Sequence, residues 1–180
     1  SSESTYSNQK QNRSTVQSDY VLPLGKSSQF EAGFRGNYLT LLSEYRVEED
    51  LLGDGNFTVN TNFTNTLEYK ENVSALYSQF GSKINKFSYL IGMRFEDSKI
   101  VINQLTTQDF NTKKYNNFFP SAFLTYEIKD GSSVSLNYSK RITRPRGRFI
   151  NPFSSYSSNI NLFVGNPDLD PSYSDAFDMG

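Results

Sequence analysis

The chain has 180 residues with 18 basic and 19 acidic side chains, a net charge of −1, so no global field draws it to nucleic acid or to an anionic surface. It contains no cysteine and no histidine, which excludes disulfide frameworks, thiolate metal sites, cysteine nucleophiles and histidine-dependent catalytic triads. Hydrophobic content is 36 %, mean hydropathy is −0.60, and no run approaches the roughly 18 apolar residues of a membrane helix, yet a barrel strand that gives only alternate residues to lipid fits all three observations.

In chain order, residues 1–13 are polar and lack the apolar stretch of a signal sequence, which leaves a mature chain, an excised fragment or a cytosolic protein. Strands are then expected near 13–22, 29–46, 66–80, 87–100, 118–128, 133–142 and 173–180. The clearest is 87–95, where Phe87, Tyr89, Ile91, Met93 and Phe95 alternate with Ser88, Gly92, Arg94 and Glu96, and only Leu90 breaks the pattern. Phe30, Ala32, Phe34 and Tyr38 alternate with Glu31, Gly33, Arg35 and Asn37 in the same way. So do Val134, Leu136, Tyr138 and Ile142 with Ser133, Ser135, Asn137, Ser139 and Arg141. Period two of this kind marks a strand with one greasy and one wet face.

The connections carry a second signal. They fall at 23–28, 47–65, 81–86, 101–117, 129–132 and 143–172, short and long in alternation. Gly25 and Gly81 mark two of the short ones, and Asp130-Gly131 suits a type I′ hairpin turn. Loops beyond about 12–15 residues are unusual in compact domains. Here all the long ones fall at one end of the sheet, as in transmembrane barrels with short periplasmic turns and long extracellular loops. The runs also exceed the average globular strand of about 5–6 residues and suit a tilted bilayer span of about 9–11. Twelve Tyr and fifteen Phe fit aromatic girdles, but equally the core of a soluble β-sandwich. Periodicity alone does not say whether the apolar face meets lipid or a second sheet.

Candidate chemistry is sparse. Glu48, Glu49 and Asp50 form one acidic group, and Asp168 and Asp170 a second inside the turn sequence Asn166-Pro167-Asp168-Leu169-Asp170-Pro171. Carboxylate catalysis needs two such groups at a set separation across a cleft, whereas Asn and Asp in a Pro-containing turn ordinarily cap backbone donors. Oxygen ligands for calcium are present there, without the ligand pattern of a calcium loop. Arg141, Arg144, Arg146 and Arg148 make a local basic cluster that suits an anion or a sugar acid, or else ion pairs with acidic groups on neighbouring strands. Phe153, Tyr156 and Phe163 in the same connection could stack on a sugar ring or pin the loop. No phosphate-binding glycine pattern occurs, and no enzymatic activity, cofactor or metal site is expected. The ligand-contact candidates are Arg144, Arg146, Tyr156, Asn166 and Asp168.

Several segments, in order, carry a resemblance. Phe118-Phe119-Pro120-Ser121, Leu124-Thr125-Tyr126, Leu136-Asn137-Tyr138-Ser139-Lys140-Arg141-Ile142, Arg144-Pro145, Asn151-Pro152-Phe153 and Gly165-Asn166-Pro167-Asp168-Leu169-Asp170-Pro171 resemble the TonB-dependent outer-membrane receptors, in particular the outer membrane protein β-barrel family widespread in Bacteroidetes. Upstream, Gln17-Ser18-Asp19-Tyr20, Tyr69-Lys70-Glu71 and Gly92-Met93-Arg94-Phe95-Glu96 match as well. The resemblance implies an all-β antiparallel up-and-down meander, part of a large transmembrane β-barrel in the bacterial outer membrane. It implies uptake of a large nutrient such as a siderophore, glycan or peptide. The implied partners are outer-membrane lipid, a plug domain and the TonB system, the last two reached through parts of the receptor outside these residues. Residues 1–180 are then expected to be one partial barrel domain of about seven strands, without the plug domain and the remaining strands. The alternative is a soluble β-sheet binding module, with carbohydrate as its candidate ligand; a surface-layer or adhesin-like structural protein is a third reading.

Overall fold

The computed structural model describes residues 2–145, 150, 165–166 and 168–180. Its strands are β1 (Ser2–Leu24), β2 (Ser28–Asp50), β3 (Thr58–Val59), β4 (Asn65–Ile84), β5 (Phe87–Gln104), β6 (Asp109–Lys129), β7 (Ser132–Thr143) and β8 (Ser172–Met179). They form one sheet in the order β1-β2-β4-β5-β6-β7-β8, with the short β3 beside β2. Every pairing is antiparallel, so this is the expected up-and-down meander.

The register aligns the alternating patterns of separate strands into rows. One row runs Leu22, Phe30, Phe80, Ile91, Ala122, Tyr138 and Phe177, apolar on every long strand. The next row on the opposite face runs Val21, Glu31, Gln79, Gly92, Ser121, Ser139 and Ala176, mostly polar or small. Because the side-chain period is two, a slip of one residue would exchange these faces, and the register is therefore strongly specified. The apolar face is bare: Ile91 and Met93 are each 52 % exposed, Leu76 is 61 % and Phe177 is 74 %.

On β5 the apolar stretch occupies positions 87–95, and on the same face it is bounded by Phe34, Leu76, Phe95 and Phe118, which form one row. Nine residues at about 3.3 Å each, tilted near 40°, give a band of about 20–25 Å, the height of the lipid-facing girdle of a membrane barrel. Beyond that row the same face carries Ser74, Asp97 and Asn116, then Asn72, Lys99 and Lys114. The opposite face changes in the other sense. Leu67, Tyr69, Ile100 and Ile102 are buried there in a cluster with Ile150, with Leu39, Leu41 and Tyr115 packed around it.

Three expectations need correction. The 101–117 connection is not a long loop: β5 continues to Gln104, β6 begins at Asp109, and only 105–108 turn, with Gln108 at φ 56°. Thr112, Lys114 and Asn116 are exposed strand positions on the continuation of the apolar face, which a strand surrounded by water does not need to keep apolar. Gly81 marks no turn, because it lies inside β4 opposite Leu90; Asn85, at φ 54°, makes that connection. A β-carbon at Gly81 would stand 3.2 Å from the Leu90 side chain, so the glycine accommodates the leucine that breaks the alternation. The hairpin at Asp130-Gly131 exists, but only Gly131 has positive φ, and a bulge between Glu127 and Lys129 absorbs the extra residue, so it is not a type I′ turn.

Pro120 shapes the last part of the sheet. The β5–β6 ladder passes it without a break, whereas the β6–β7 ladder ends at Ser121 and Ser139. Proline has no N–H to give to a neighbouring strand. Above it, among the described residues, the upper part of β6 pairs with β5 alone, and its other side receives the segment before β8: Asn111 Nδ2 donates to Asp168 Oδ1 at 3.3 Å, and Lys113 Nζ donates to Leu169 O at 3.1 Å.

Candidate functional site

Polar residues converge on the covered face where the band ends. Arg94 and Glu96 are two positions apart on β5 and so share that face, Arg94 Nε donating to Glu96 Oε1 at 2.7 Å. Arg144, just past β7, reaches back across the sheet. Its Nη2 donates to Glu96 Oε2 at 2.6 Å and to Ser98 Oγ at 3.0 Å. One carboxylate, 9 % exposed, is thus held between two guanidinium groups. Burial makes such a node costly to half-dismantle, because removal of one partner leaves charge without its counter-charge.

Small residues give the node room. Glu96 lies in the row Gln17, Arg35, Ala75, Glu96, and Arg94 in the row Asp19, Gly33, Tyr77, Arg94. A β-carbon at Gly33 would stand 2.4 Å from the Tyr77 ring, so the ring lies over the glycine, and the Arg94 guanidinium sits 5.7 Å from that ring's centre. Arg13, Arg35, Glu71, Arg94, Glu96 and Arg144 surround a recess of about 320 Å³. Beside it Tyr69 donates its hydroxyl to Glu71 Oε2 at 2.7 Å. Burial, reinforced by that hydrogen bond and the Glu71 charge, pushes the Tyr69 phenol far above its ordinary value.

The sequence candidates are distributed unevenly around this site. Arg144 belongs to it, and its pairing with Glu96 is the ion-pair reading of the arginine cluster. Arg141 instead donates to Ser139 Oγ at 3.3 Å. Arg146 and Tyr156 lie outside the described residues, as do Arg148, Phe153 and Phe163. Asn166 Oδ1 accepts from Asp168 N at 2.9 Å, and Asp168 is held by Asn111, so both serve the turn and its seating on β6. Asp170 pairs with Lys113 at 3.2 Å. Of the other acidic group, Glu48 pairs with Arg46 at 2.5 Å, Glu49 accepts from Asn60 at 2.7 Å, and Asp50 caps Gly53 N and Gly55 N. At the loop end Asn56, through its backbone N–H first and then its side chain, holds the Asp54 carboxyl below its ordinary value. Arg13, Arg35, Glu71, Arg94 and Glu96 were not among the candidates. The available signal was charge on the wet face of alternating strands, visible at Arg35, Arg94 and Glu96.

Comparison with known proteins gives a consistent result. A family model described as the outer membrane protein beta-barrel family matches residues 1–180. Among solved structures, the ferric citrate transporter FecA in its unliganded form has the same fold with TM-score 0.60 at 18 % identity, over 78 % of this chain. The chain spans 22 % of that structure's length. No curated protein matches.

Proposed function

The chain belongs to the outer membrane protein β-barrel family, and from that membership we propose that its seven long strands are part of the wall of a TonB-dependent receptor that takes up a large nutrient, a siderophore, glycan or peptide. The chain is an antiparallel barrel segment of the bacterial outer membrane. Its bare apolar face meets lipid, and its polar face turns toward the lumen. The observation that supports this best is the row Leu22, Phe30, Phe80, Ile91, Ala122, Tyr138 and Phe177, because a soluble sheet would not leave seven strands of apolar side chains uncovered.

In this reading the wall performs no chemistry. A plug domain contributed by another part of the receptor fills the lumen, the TonB system supplies energy through it, and the elaborated end of the sheet meets the ligand outside. The similarity to a ferric citrate transporter supports uptake as the general task. The test uses the full-length receptor in its own cells. It is expected to stay in the outer-membrane fraction after an alkaline wash, and ligand accumulation should stop when a protonophore collapses the inner-membrane gradient. Release by the wash would favour a soluble binding module, and accumulation indifferent to the protonophore would remove TonB coupling.

A further inference from the structure

Two arginines of the recess have no counter-charge among the described residues. Glu96 is occupied on both oxygens, by Arg94 and by Arg144, and Glu71 accepts from Tyr69. Arg13 and Arg35 have neither a hydrogen bond nor an ion pair among the described residues, although both are exposed and line the same hollow. Four arginines against two glutamates leave an excess of two positive charges. In addition, Arg144 Nε is buried at the recess without a partner among the described residues, a donor left over after its Nη2 has served Glu96 and Ser98.

We propose that this recess is a binding subsite for an oxyanion-bearing solute, a compound whose carboxylate or phosphate groups bridge Arg13 and Arg35 on the lumen wall. The proposal deepens the uptake reading and rests on it, since it needs this face to be inward. The geometry favours a charged ligand over a neutral sugar. The cations are all arginine, whose planar forks suit two-oxygen acceptors, and a neutral ligand would displace water from two guanidinium groups without supplying a counter-charge. Ala75, between Arg35 and Glu96 in the row, is buried and puts no long side chain between them. The volume of about 320 Å³ is at the lower end for small-molecule sites, which run about 300–1,000 Å³. It would hold an acidic portion of a ligand whose remainder extends into the lumen. Arg94 and Arg144 are positioning residues, because the carboxylate between them keeps both guanidinium groups at the edge of the hollow.

The test is calorimetric titration of the full-length receptor in detergent with tricarballylate and with inorganic phosphate. Wild type should bind tricarballylate, more weakly as potassium chloride rises, and Arg35→Gln and Arg13→Gln should each weaken binding about tenfold. Arg35→Lys should recover only part of the loss, because a point charge replaces a fork. Arg13→Gln, exposed on the edge strand β1 and outside the ion-paired node, keeps the proposal testable if Arg35→Gln does not fold. Absence of binding to wild type would overturn it, including the case in which the receptor's own carboxylates occupy the arginines. Binding unchanged in both variants would overturn it as well. Loss of the subsite is distinguishable from loss of the uptake reading: a receptor that stays in the membrane and accumulates ligand under energised conditions, yet binds neither probe, refutes only the subsite.

Discussion

Below the row Phe34, Leu76, Phe95, Phe118 the sheet holds its apolar side chains on the bare face; above it the same strands hold them on the covered face. On β5, Ile91 and Met93 point one way, while Ile100 and Ile102, nine residues further on and of opposite parity, point the other. The backbone is continuous through the change. What differs is the solvent outside it: hydrocarbon for one half, water for the other. A membrane strand that continues into water must invert its pattern, because the outer face that lipid requires to be greasy is the one water requires to be polar. The change of parity therefore marks the membrane boundary.

The largest expected effect concerns the two ends of the sheet. In the full-length receptor on intact cells, cysteines at Asn56 or Thr107 should react with an impermeant thiol reagent. Cysteines at Lys86 or Asp130 should remain silent until the outer membrane is broken. Thr107 is informative because its connection is now a four-residue turn, so exposure there reports strand direction rather than loop length. These 180 residues contain no cysteine to obscure the signal. Equal rates at Lys86 and Asn56 would place both ends on one side and break the comparison.

Next in size is a charge carried along one face. Ile91→Arg should cost about 2–4 kcal/mol in refolding titrations into vesicles, the midplane penalty for a cation facing lipid. Asp97→Arg, on the same face of the same strand but beyond the boundary row, should change stability by about 0.5 kcal/mol or less. Similar costs at the two positions would mean that no boundary lies between them.

The covered face offers the converse. Ile100 is 3 % exposed in the cluster with Leu67, Tyr69, Ile102 and Ile150. Ile100→Ala should destabilise by about 2–3 kcal/mol, toward the low end for buried isoleucine because a small cluster at the edge of a sheet can relax into the space. Leu90→Ala, on the same face below the boundary, should cost less, since Leu90 is half-buried and lies over Gly81 rather than in a core.

This inversion also explains how far the sequence could be read. Alternation from Phe87 to Phe95 stated the fold of the lower half, and Asp130-Gly131 and Gly25 stated two of its turns. In the upper half, residues 101–117 were misread as loop because the outer-face positions Asn103, Thr112, Lys114 and Asn116 are polar where an apolar outer face was assumed throughout. The site was harder still. Arg144 was recognisable from its local cluster, but Glu96 is 48 residues away, and Arg35 meets Glu96 only across Ala75 of an intervening strand. Such neighbours depend on register, which no single strand contains. Asn166 and Asp168, prominent in the chain as a turn sequence, proved to hold that turn and the segment against β6.

The smallest effect tests whether the covered cluster is dry. Tyr69 stands above the boundary row, with its ring among Leu67, Ile100 and Ile102, and burial first and the Glu71 hydrogen bond second raise its ionisation in the folded state above the usual value near 10. Below that pH the phenol is protonated whether the chain is folded or unfolded, and titration has no influence on stability. As pH rises above about 10 the unfolded chain releases this proton first, so folding loses at most about 1.4 kcal/mol per pH unit from this group until the folded value is reached. Tyr69→Phe removes the dependence along with the hydroxyl. Relative to this variant, the wild-type receptor should lose denaturant resistance progressively between about pH 10 and 11. Parallel profiles for wild type and Tyr69→Phe would mean that water reaches the phenol, and that the upper half of the sheet has no true interior to set against the bare band below it.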